Sequence, residues 1–137
     1  MSCNKERVMH GHPCLGHVSY DGIRHLGLEA SALLIDKQVE GVRLATEAGL
    51  LIKVNTVLIP GINDDQIPHI ADKVSELGAF VMNIMPVIPC GALKDVVPPS
   101  LEYLEQIRSA NELIIPQFRH CSQCRADAAG LIENRCA

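Results

Sequence analysis

The stretch "LLIKVNTVLIPG", residues 50–61, decides the fold class of this 137-residue chain. Its first ten residues, Leu50 to Ile59, are rich in β-branched side chains and almost continuously apolar. Strands that are buried on both faces have this composition, and parallel sheets are built from such strands. Pro60 and Gly61 then end the stretch, because this pair is typical of a turn. The sequence therefore predicts a parallel strand, buried on both faces, over residues 50–59.

Helical patterns flank this strand on both sides. Before it, apolar residues recur at steps of three and four, and Gly49 is a natural C-terminal stop. Gly41, inside that helix, predicts a close packing contact at its position. After the strand, Asn63 or Asp64 can cap a second helix that Gly78 closes. The two apolar stripes are Leu28, Ala32, Ile35, Val39, Val42 and Ala45 in the first helix, and Ile67, Ile70, Val74 and Leu77 in the second.

A second strand and a third helix complete the pattern. The stretch "AFVMNIMPVI", residues 79–88, predicts a strand interrupted by Pro86. Ser100 can cap a third helix, with Leu101, Leu104 and Ile107 on its buried side, that ends by Pro116. The order helix, strand, helix, strand, helix predicts an α/β fold with a parallel sheet. Two strands are few for such a sheet, so either the N-terminal segment hides a strand or the chain is part of a larger β/α assembly.

Length and composition limit the functional classes. The chain suits one domain, with 47% hydrophobic and 20% charged residues. A net charge of −4 argues against a broad nucleic-acid surface. No apolar run is long enough to cross a membrane, and residues 1–17 do not resemble a secretory signal. We therefore expect a cytoplasmic protein with no nucleic-acid or membrane partner, whose six cysteines are reduced thiols or metal ligands.

Three segments follow from the pattern along the chain. Residues 1–27 contain "HGHPC" and show no periodicity, so we expect them to be irregular. Residues 28–116 carry the alternating helices and strands. Residues 117–137 form a C-terminal tail that contains "FRHCSQCRADAAGL", residues 118–131.

The tail holds the main candidate site, because Cys121 and Cys124 have the spacing C-x2-C. Such a pair can serve a redox disulfide, half of a zinc site or an iron–sulfur cluster. A redox pair is expected at a helix start directly after a strand, whereas this pair follows a helix and a proline. A zinc site would be completed by other candidate ligands, namely His10, His12 and Cys14.

Other residues around the pair and elsewhere suggest further roles. Arg119 and Arg125 flank it, and guanidinium groups offset the charge of cluster thiolates and donate hydrogen bonds to sulfur. Cys90 lies in a loop after the second strand, where the loops of β/α proteins line the active face. Cys3 and Cys136 lie near the chain ends and are expected to be free thiols.

Four motifs occur together in a known order: "HPC", "LIKVNTVLIPGIND", "LGAFVMNIMPVI" and "FRHCSQCRADAAGL". In this combination the chain resembles the radical-SAM proteins of the NifB type, which build the iron–sulfur core of the nitrogenase iron–molybdenum cofactor in nitrogen fixation. The resemblance covers about residues 18–132 together with the short "HGHPC". Its most specific part is the terminal "RHCSQCRADA".

The resemblance implies a partial parallel β/α barrel of the radical-SAM type. It also implies a reaction that uses two kinds of iron–sulfur cluster. One cluster cleaves S-adenosyl-L-methionine, and two further [4Fe–4S] clusters are fused with a carbide carbon. The implied partners are iron–sulfur cluster donors and cofactor carrier proteins. Carried over by motif, the metal ligands are Cys14, Cys121 and Cys124, while His10, His12 and His17 are weaker candidates for a missing histidine ligand. The implied S-adenosyl-L-methionine contacts are Asn55, Ile59, Pro60, Gly61, Ile62, Asn63 and Asn83.

One departure from that family bears on the activity. The family's CxxxCxxC motif, which holds the cluster that cleaves S-adenosyl-L-methionine, is absent from these 137 residues. The chain thus resembles the second half of such a protein, an incomplete member for which enzymatic activity is left open. Two alternatives remain, a non-catalytic cluster-binding or carrier module and a zinc-stapled structural domain. A strand with a bare flank also predicts a homo-oligomer or a molten, aggregation-prone monomer.

Overall fold

A computed structural model of the chain describes residues 17–119, and the fold is mixed α/β. The described residues contain three α-helices and two small sheets of two strands each. In chain order the elements are β1 (Val18–Tyr20), β2 (Ile23–His25), α1 (Gly27–Glu47), β3 (Lys53–Leu58), α2 (Ile67–Glu76), β4 (Val81–Pro86) and α3 (Leu101–Asn111). The predicted α/β class, the three helices and the two strands after the first helix are confirmed.

A hairpin of β1 and β2 lies where the sequence analysis expected no regular structure. The strands pair antiparallel, with Tyr20 opposite Ile23. Between them Asp21 and Gly22 have φ angles of 51° and 75°. A two-residue turn with both φ angles positive matches the right-handed twist of the flanking strands, and Asp-Gly is a favoured pair for it. The expectation of an irregular segment is therefore wrong for residues 18–25, where the pair Asp21-Gly22 was an overlooked signal for the turn.

Helix α1 is mostly exposed. Its end near Gly49 is confirmed: Gly49 has a φ of +79°, and the amide of Leu50 donates to the carbonyl of Ala45. Its buried residues are Ala30 and Ser31, whereas Leu28 and Ile35 of the predicted stripe are exposed. The close contact predicted at Gly41 is not found within residues 17–119, where no heavy atom beyond the neighbouring residues and backbone of α1 lies within 4 Å of a Cβ placed there.

Strands β3 and β4 form the predicted parallel sheet, with Asn55 opposite Asn83 and Leu58 opposite Pro86. Pro86 is the last residue of β4, so it ends the strand instead of interrupting it. The predicted burial on both faces is wrong for β3 within the described residues. Its residues alternate between exposed and partly or fully buried, and the exposed face carries Lys53, Asn55 and Val57.

A third parallel segment lies on the other edge of β4. The amide of Met82 donates to the carbonyl of Pro116 at 2.9 Å, and the amide of Phe118 donates to the carbonyl of Met82 at 2.8 Å. Gln117 is thereby paired with Met82 in parallel orientation. The chain after α3 thus joins the sheet as an adjacent segment, in the order β3, β4, 116–118.

Helices α2 and α3 pack against one face of this sheet, and the core lies between them. Its buried members are Leu58, Ile67, Ala71, Val74, Met82, Ile84, Leu104 and Ile115. No closed barrel is seen in the described part of the chain. Between residues 17 and 119, no helix combines the length and the apolar character that a membrane crossing requires.

Helix α3 also supplies hydrogen-bond donors to a backbone carbonyl at the edge of β4. Its N-terminus is capped as predicted, with the Ser100 hydroxyl accepting from the amide of Tyr103 at 3.1 Å. The buried Arg108 donates from Nε and Nη2 to the carbonyl of Ile84, at 3.1 and 2.8 Å. This carbonyl points to the same edge as that of Met82, because alternate residues of a strand bond in the same direction. Arg108 therefore occupies a position where a neighbouring strand would otherwise donate.

Candidate functional site

The sheet face opposite the helices carries a pair of asparagines. Asn55 and Asn83 are register partners, and Asn83 Nδ2 donates to Asn55 Oδ1 at 3.0 Å. Val54, Met82 and Ile84 belong to the helix-facing core, so strand alternation places both asparagines on the other face. The structure thus brings together two of the residues that the sequence predicted for the site.

Asn83 also carries a buried acceptor atom without a partner. The residue is fully buried, and its Oδ1 accepts no hydrogen bond from the described residues. A buried acceptor left unsatisfied costs about 1–3 kcal/mol. Such an atom in a native structure is evidence for a missing donor, either a ligand, a water molecule or another part of the protein.

Lys53 and Phe118 lie on this same face. Lys53 is two residues before Asn55, and Phe118 follows Gln117, whose partner Met82 points to the helices. The Lys53 ammonium lies 4.6 Å from the centroid of the Phe118 ring, within the range of a cation–π interaction. An aromatic ring and a cation in contact with each other therefore lie on the face that holds the asparagine pair.

The loop after β3 is a tight turn. The amide of Ile62 donates to the carbonyl of Ile59 at 3.0 Å, and Gly61 has a φ of +74°. Proline at the second position and glycine with positive φ at the third are the signature of a type II turn. Pro60 and Gly61 thus shape the backbone at the carboxyl end of β3, the end at which β/α proteins bind ligands.

Asn63 fastens this turn to the end of β3. Its Oδ1 accepts from the amide of Ile59, and its Nδ2 donates to the carbonyl of Val57, both at 2.8 Å. Both functional groups of the Asn63 amide are thus bonded to the backbone. The predicted contact of Asn63 with S-adenosyl-L-methionine stays a prediction.

Asp64 connects the turn to α3, a role that the sequence analysis missed. One carboxylate oxygen accepts from the amide of Gly61, and the other accepts from the hydroxyl of Tyr103. The hydrogen bond to Asp64 raises the pKa of Tyr103 above its ordinary value. No local pattern predicts this contact, because 39 residues separate the two partners.

Arg119, predicted to support a cluster, is bound to α3 and to the residue that follows it. Its Nη1 and Nη2 donate to the two carboxylate oxygens of Glu112 at 2.7 Å each, and its Nε donates to Glu105. These bonds hold the pKa of both glutamates below the ordinary carboxyl value. Three of the five N–H groups of the guanidinium are used in this way.

Most predicted metal ligands lie outside the described residues, namely His10, His12, Cys14, Cys121 and Cys124, as does Arg125. Of the other candidates, Cys90 is an exposed free thiol, and the exposed His17 ring lies 3.4 Å from Arg24 Nη2. Between residues 17 and 119, no three His, Cys, Asp or Glu side chains come together as a metal site. The ligand set therefore remains a prediction from sequence.

Comparison with known proteins finds curated relatives that share one name. A scan against protein-family models finds no match. Curated relatives are each called FeMo cofactor biosynthesis protein NifB. That of Methanocaldococcus infernus is 47% identical over 118 residues, which cover 86% of this chain and 39% of the relative. That of Klebsiella pneumoniae is 43% identical over 118 residues, 82% of this chain and 25% of the relative. That of Azotobacter vinelandii is 35% identical over 114 residues, 79% of this chain and 23% of the relative.

The chain thus spans between about a quarter and two fifths of the length of these curated relatives. The resemblance that four sequence motifs indicated is confirmed by identities of 35% to 47%. Over most of its own length, this chain is a homologue of the FeMo cofactor biosynthesis proteins NifB.

Proposed function

We propose that this chain acts in the biosynthesis of the nitrogenase iron–molybdenum cofactor, as the part of a radical-SAM protein that holds iron–sulfur cluster substrates. The observation that carries the proposal is the identity of up to 47% to NifB proteins over 86% of the chain. The C-x2-C pair Cys121 and Cys124 supplies two thiolates for a [4Fe–4S] substrate, and Cys14 supplies a third.

The arrangement of the sheet supports a contact with S-adenosyl-L-methionine. The unpaired Oδ1 of Asn83 is an acceptor that suits an ammonium or hydroxyl donor of that cofactor. Asn55 lies beside it, and the turn from Ile59 to Asn63 stands at the carboxyl end of the same strand. When bound, S-adenosyl-L-methionine supplies the radical chemistry of this family. The side chains of this sheet bind and orient it.

The cysteine pattern bears on which steps of the reaction these residues take part in. These 137 residues contain no CxxxCxxC, so we propose that they hold clusters and contact the cofactor without reducing it. We further propose that β3, β4 and residues 116–118 are adjacent segments of a partial β/α barrel. The partners are then iron–sulfur cluster donors and cofactor carrier proteins, in the cytoplasm.

Metal analysis after anaerobic reconstitution tests this function. The chain is supplied with iron, sulfide and zinc together, desalted, and assayed for all three. We expect a brown protein that contains iron and sulfide in similar amounts, and no 5′-deoxyadenosine above the blank with dithionite and S-adenosyl-L-methionine. A colourless zinc protein would support the zinc-stapled alternative instead. Turnover of the cofactor would show that other cysteines assemble a cleaving cluster.

A further inference from the structure

The clearest unexplained contacts of the molecule surround Arg119. It is the last described residue, and the predicted cluster ligands Cys121 and Cys124 follow it by two and five positions. Its guanidinium lies between two carboxylates, with a bidentate pair to Glu112 and a single bond to Glu105. Parallel two-point bonding of this kind fixes the direction of the guanidinium as well as its position.

We propose that Arg119 is a positioning residue, which fastens the segment before Cys121 to α3 through Glu105 and Glu112 and so sets where the C-x2-C pair begins. The cluster-related part of this inference rests on the proposed function. It differs from the role suggested by the sequence, in which Arg119 donates directly to cluster sulfur.

Two independent attachments meet in this segment. The backbone of residues 116–118 is bonded to Met82 of β4, and the side chain of Arg119 is bonded to Glu105 of α3 and to Glu112 just after it. One attachment comes from the sheet and the other from the helix. Together they restrain the backbone of residues 116–118 and the side chain of Arg119.

The carboxylates connect Arg119 to the centre of the sheet. Glu105 Oε2 lies 3.6 Å from Nη1 of Arg108, while its Oε1 accepts from Arg119. Arg108 in turn is buried and donates to the carbonyl of Ile84, next to Asn83. A series of ion pairs that ends in hydrogen bonds to the Ile84 carbonyl thus links Arg119 to the strand that carries Asn83.

The two candidate roles of Arg119 differ in how they depend on Glu112. A positioning role requires Glu112, because its bidentate pair orients the guanidinium. A direct bond to sulfur does not require it, and removal of Glu112 would leave more N–H groups for the cluster. Glu112→Gln therefore separates the two roles without altering Arg119 itself.

A matched control is present on α1. Glu47 accepts from Arg43 Nη1 at 2.8 and 2.9 Å, and the pair is exposed to a degree similar to that of Glu112. Glu47→Gln makes the same chemical change far along the chain from the cysteine pair. Any effect that both variants share reflects loss of a surface ion pair in general.

The first measurement is hydrogen–deuterium exchange at the Phe118 amide in the iron-free protein. We expect Glu112→Gln to speed this exchange by about fivefold, the factor for losing a well-formed surface ion pair, and Glu47→Gln to leave it unchanged. Equal exchange rates in wild type and Glu112→Gln would overturn the inference. This arm does not depend on iron binding.

The second measurement is electron paramagnetic resonance of the reconstituted, dithionite-reduced protein. We expect Glu112→Gln to broaden the cluster signal and to lower the retained iron, while Glu47→Gln matches wild type. A wild-type signal in Glu112→Gln, together with an altered one in Arg119→Lys, would establish the direct role and refute the positioning role. A wild type that binds no iron would contradict the proposed function. The exchange rate of the Phe118 amide would then test only whether Arg119 anchors residues 116–118.

Discussion

Asp64 shows how a single carboxylate can organise a loop. It holds the amide of Gly61 with one oxygen and the hydroxyl of Tyr103 with the other. The turn after β3 and the first turn of α3 are thereby joined. Because the turn is also fastened by Asn63, its backbone is set by side chains that lie outside the turn itself.

This contact predicts a pH dependence for Tyr103. Its pKa is raised in the folded protein by the bond to Asp64, above the ordinary value of 10.0. A raised pKa means that the bond stabilises the fold fully below pH 10, and that this contribution is lost as the pH rises through the folded value. Tyrosinate absorbance measures the titration. Tyr103→Phe leaves Tyr20 as the remaining tyrosine and isolates the signal of Tyr103 by difference. A Tyr103 that titrates at or below its ordinary value would contradict this account.

Site residues differ in how far the sequence could indicate them. Asn55 and Asn83 were implied by the family resemblance and stand in two predicted strands, whereas their register as direct partners is a finding of the structure. The acceptors of Arg119 were not predictable. They lie 14 and 7 residues before it, on α3 and directly after it, and the orientation of this helix against the sheet depends on the packed core and not on any local pattern.

At the scale of elements, substitution of two glycines by alanine is expected to change the stability in opposite directions. Gly41 lies within α1 in open space, so Ala there removes a flexible helix residue at no steric cost. We expect Gly41→Ala to raise the free energy of unfolding by about 0.5–1 kcal/mol. Gly22 has a φ of +75° in the hairpin turn. We expect Gly22→Ala to lower the free energy of unfolding by about 1 kcal/mol, because a side chain disfavours this conformation. Urea denaturation measures both. Destabilisation by Gly41→Ala would indicate a contact that the described residues do not contain.

The helices and the central strands were predictable because apolar periodicity and glycine stops acted together. Gly49 and Gly78 both end helices with positive φ, at the positions where the sequence stripes end. Strand lengths were overestimated, since Leu50 and Leu51 are apolar but exposed and lie outside β3. The apolar run alone cannot show which of its residues pair, because pairing is decided by the neighbouring strand.

At the scale of the whole molecule, the edge of β3 is the main irregularity. No strand pairs with its second edge between residues 17 and 119, and the β1–β2 hairpin forms a sheet of its own. Val57 on this strand is 40% exposed, and Leu51 just before it is 77% exposed. A strand whose edge is not paired presents free N–H and C=O groups, which promote pairing with another chain.

We therefore predict that the purified chain self-associates through this edge. Light scattering at several protein concentrations should show an apparent mass that rises with concentration. Lys substituted at Val57 should reduce the association, because charged side chains block edge pairing. A single monomeric mass at every concentration would mean that residues outside the described range cover the edge.

The most direct test of the account concerns the metal ligands. Wild type, Cys121→Ser/Cys124→Ser and Cys3→Ser are reconstituted anaerobically in parallel, and iron and sulfide are measured per chain. The account predicts that the double variant loses most of its iron, because it lacks two thiolate ligands, while Cys3→Ser retains the wild-type amount. An unchanged iron content in the double variant would contradict the assignment of Cys121 and Cys124, and with it the proposal that this chain holds cluster substrates.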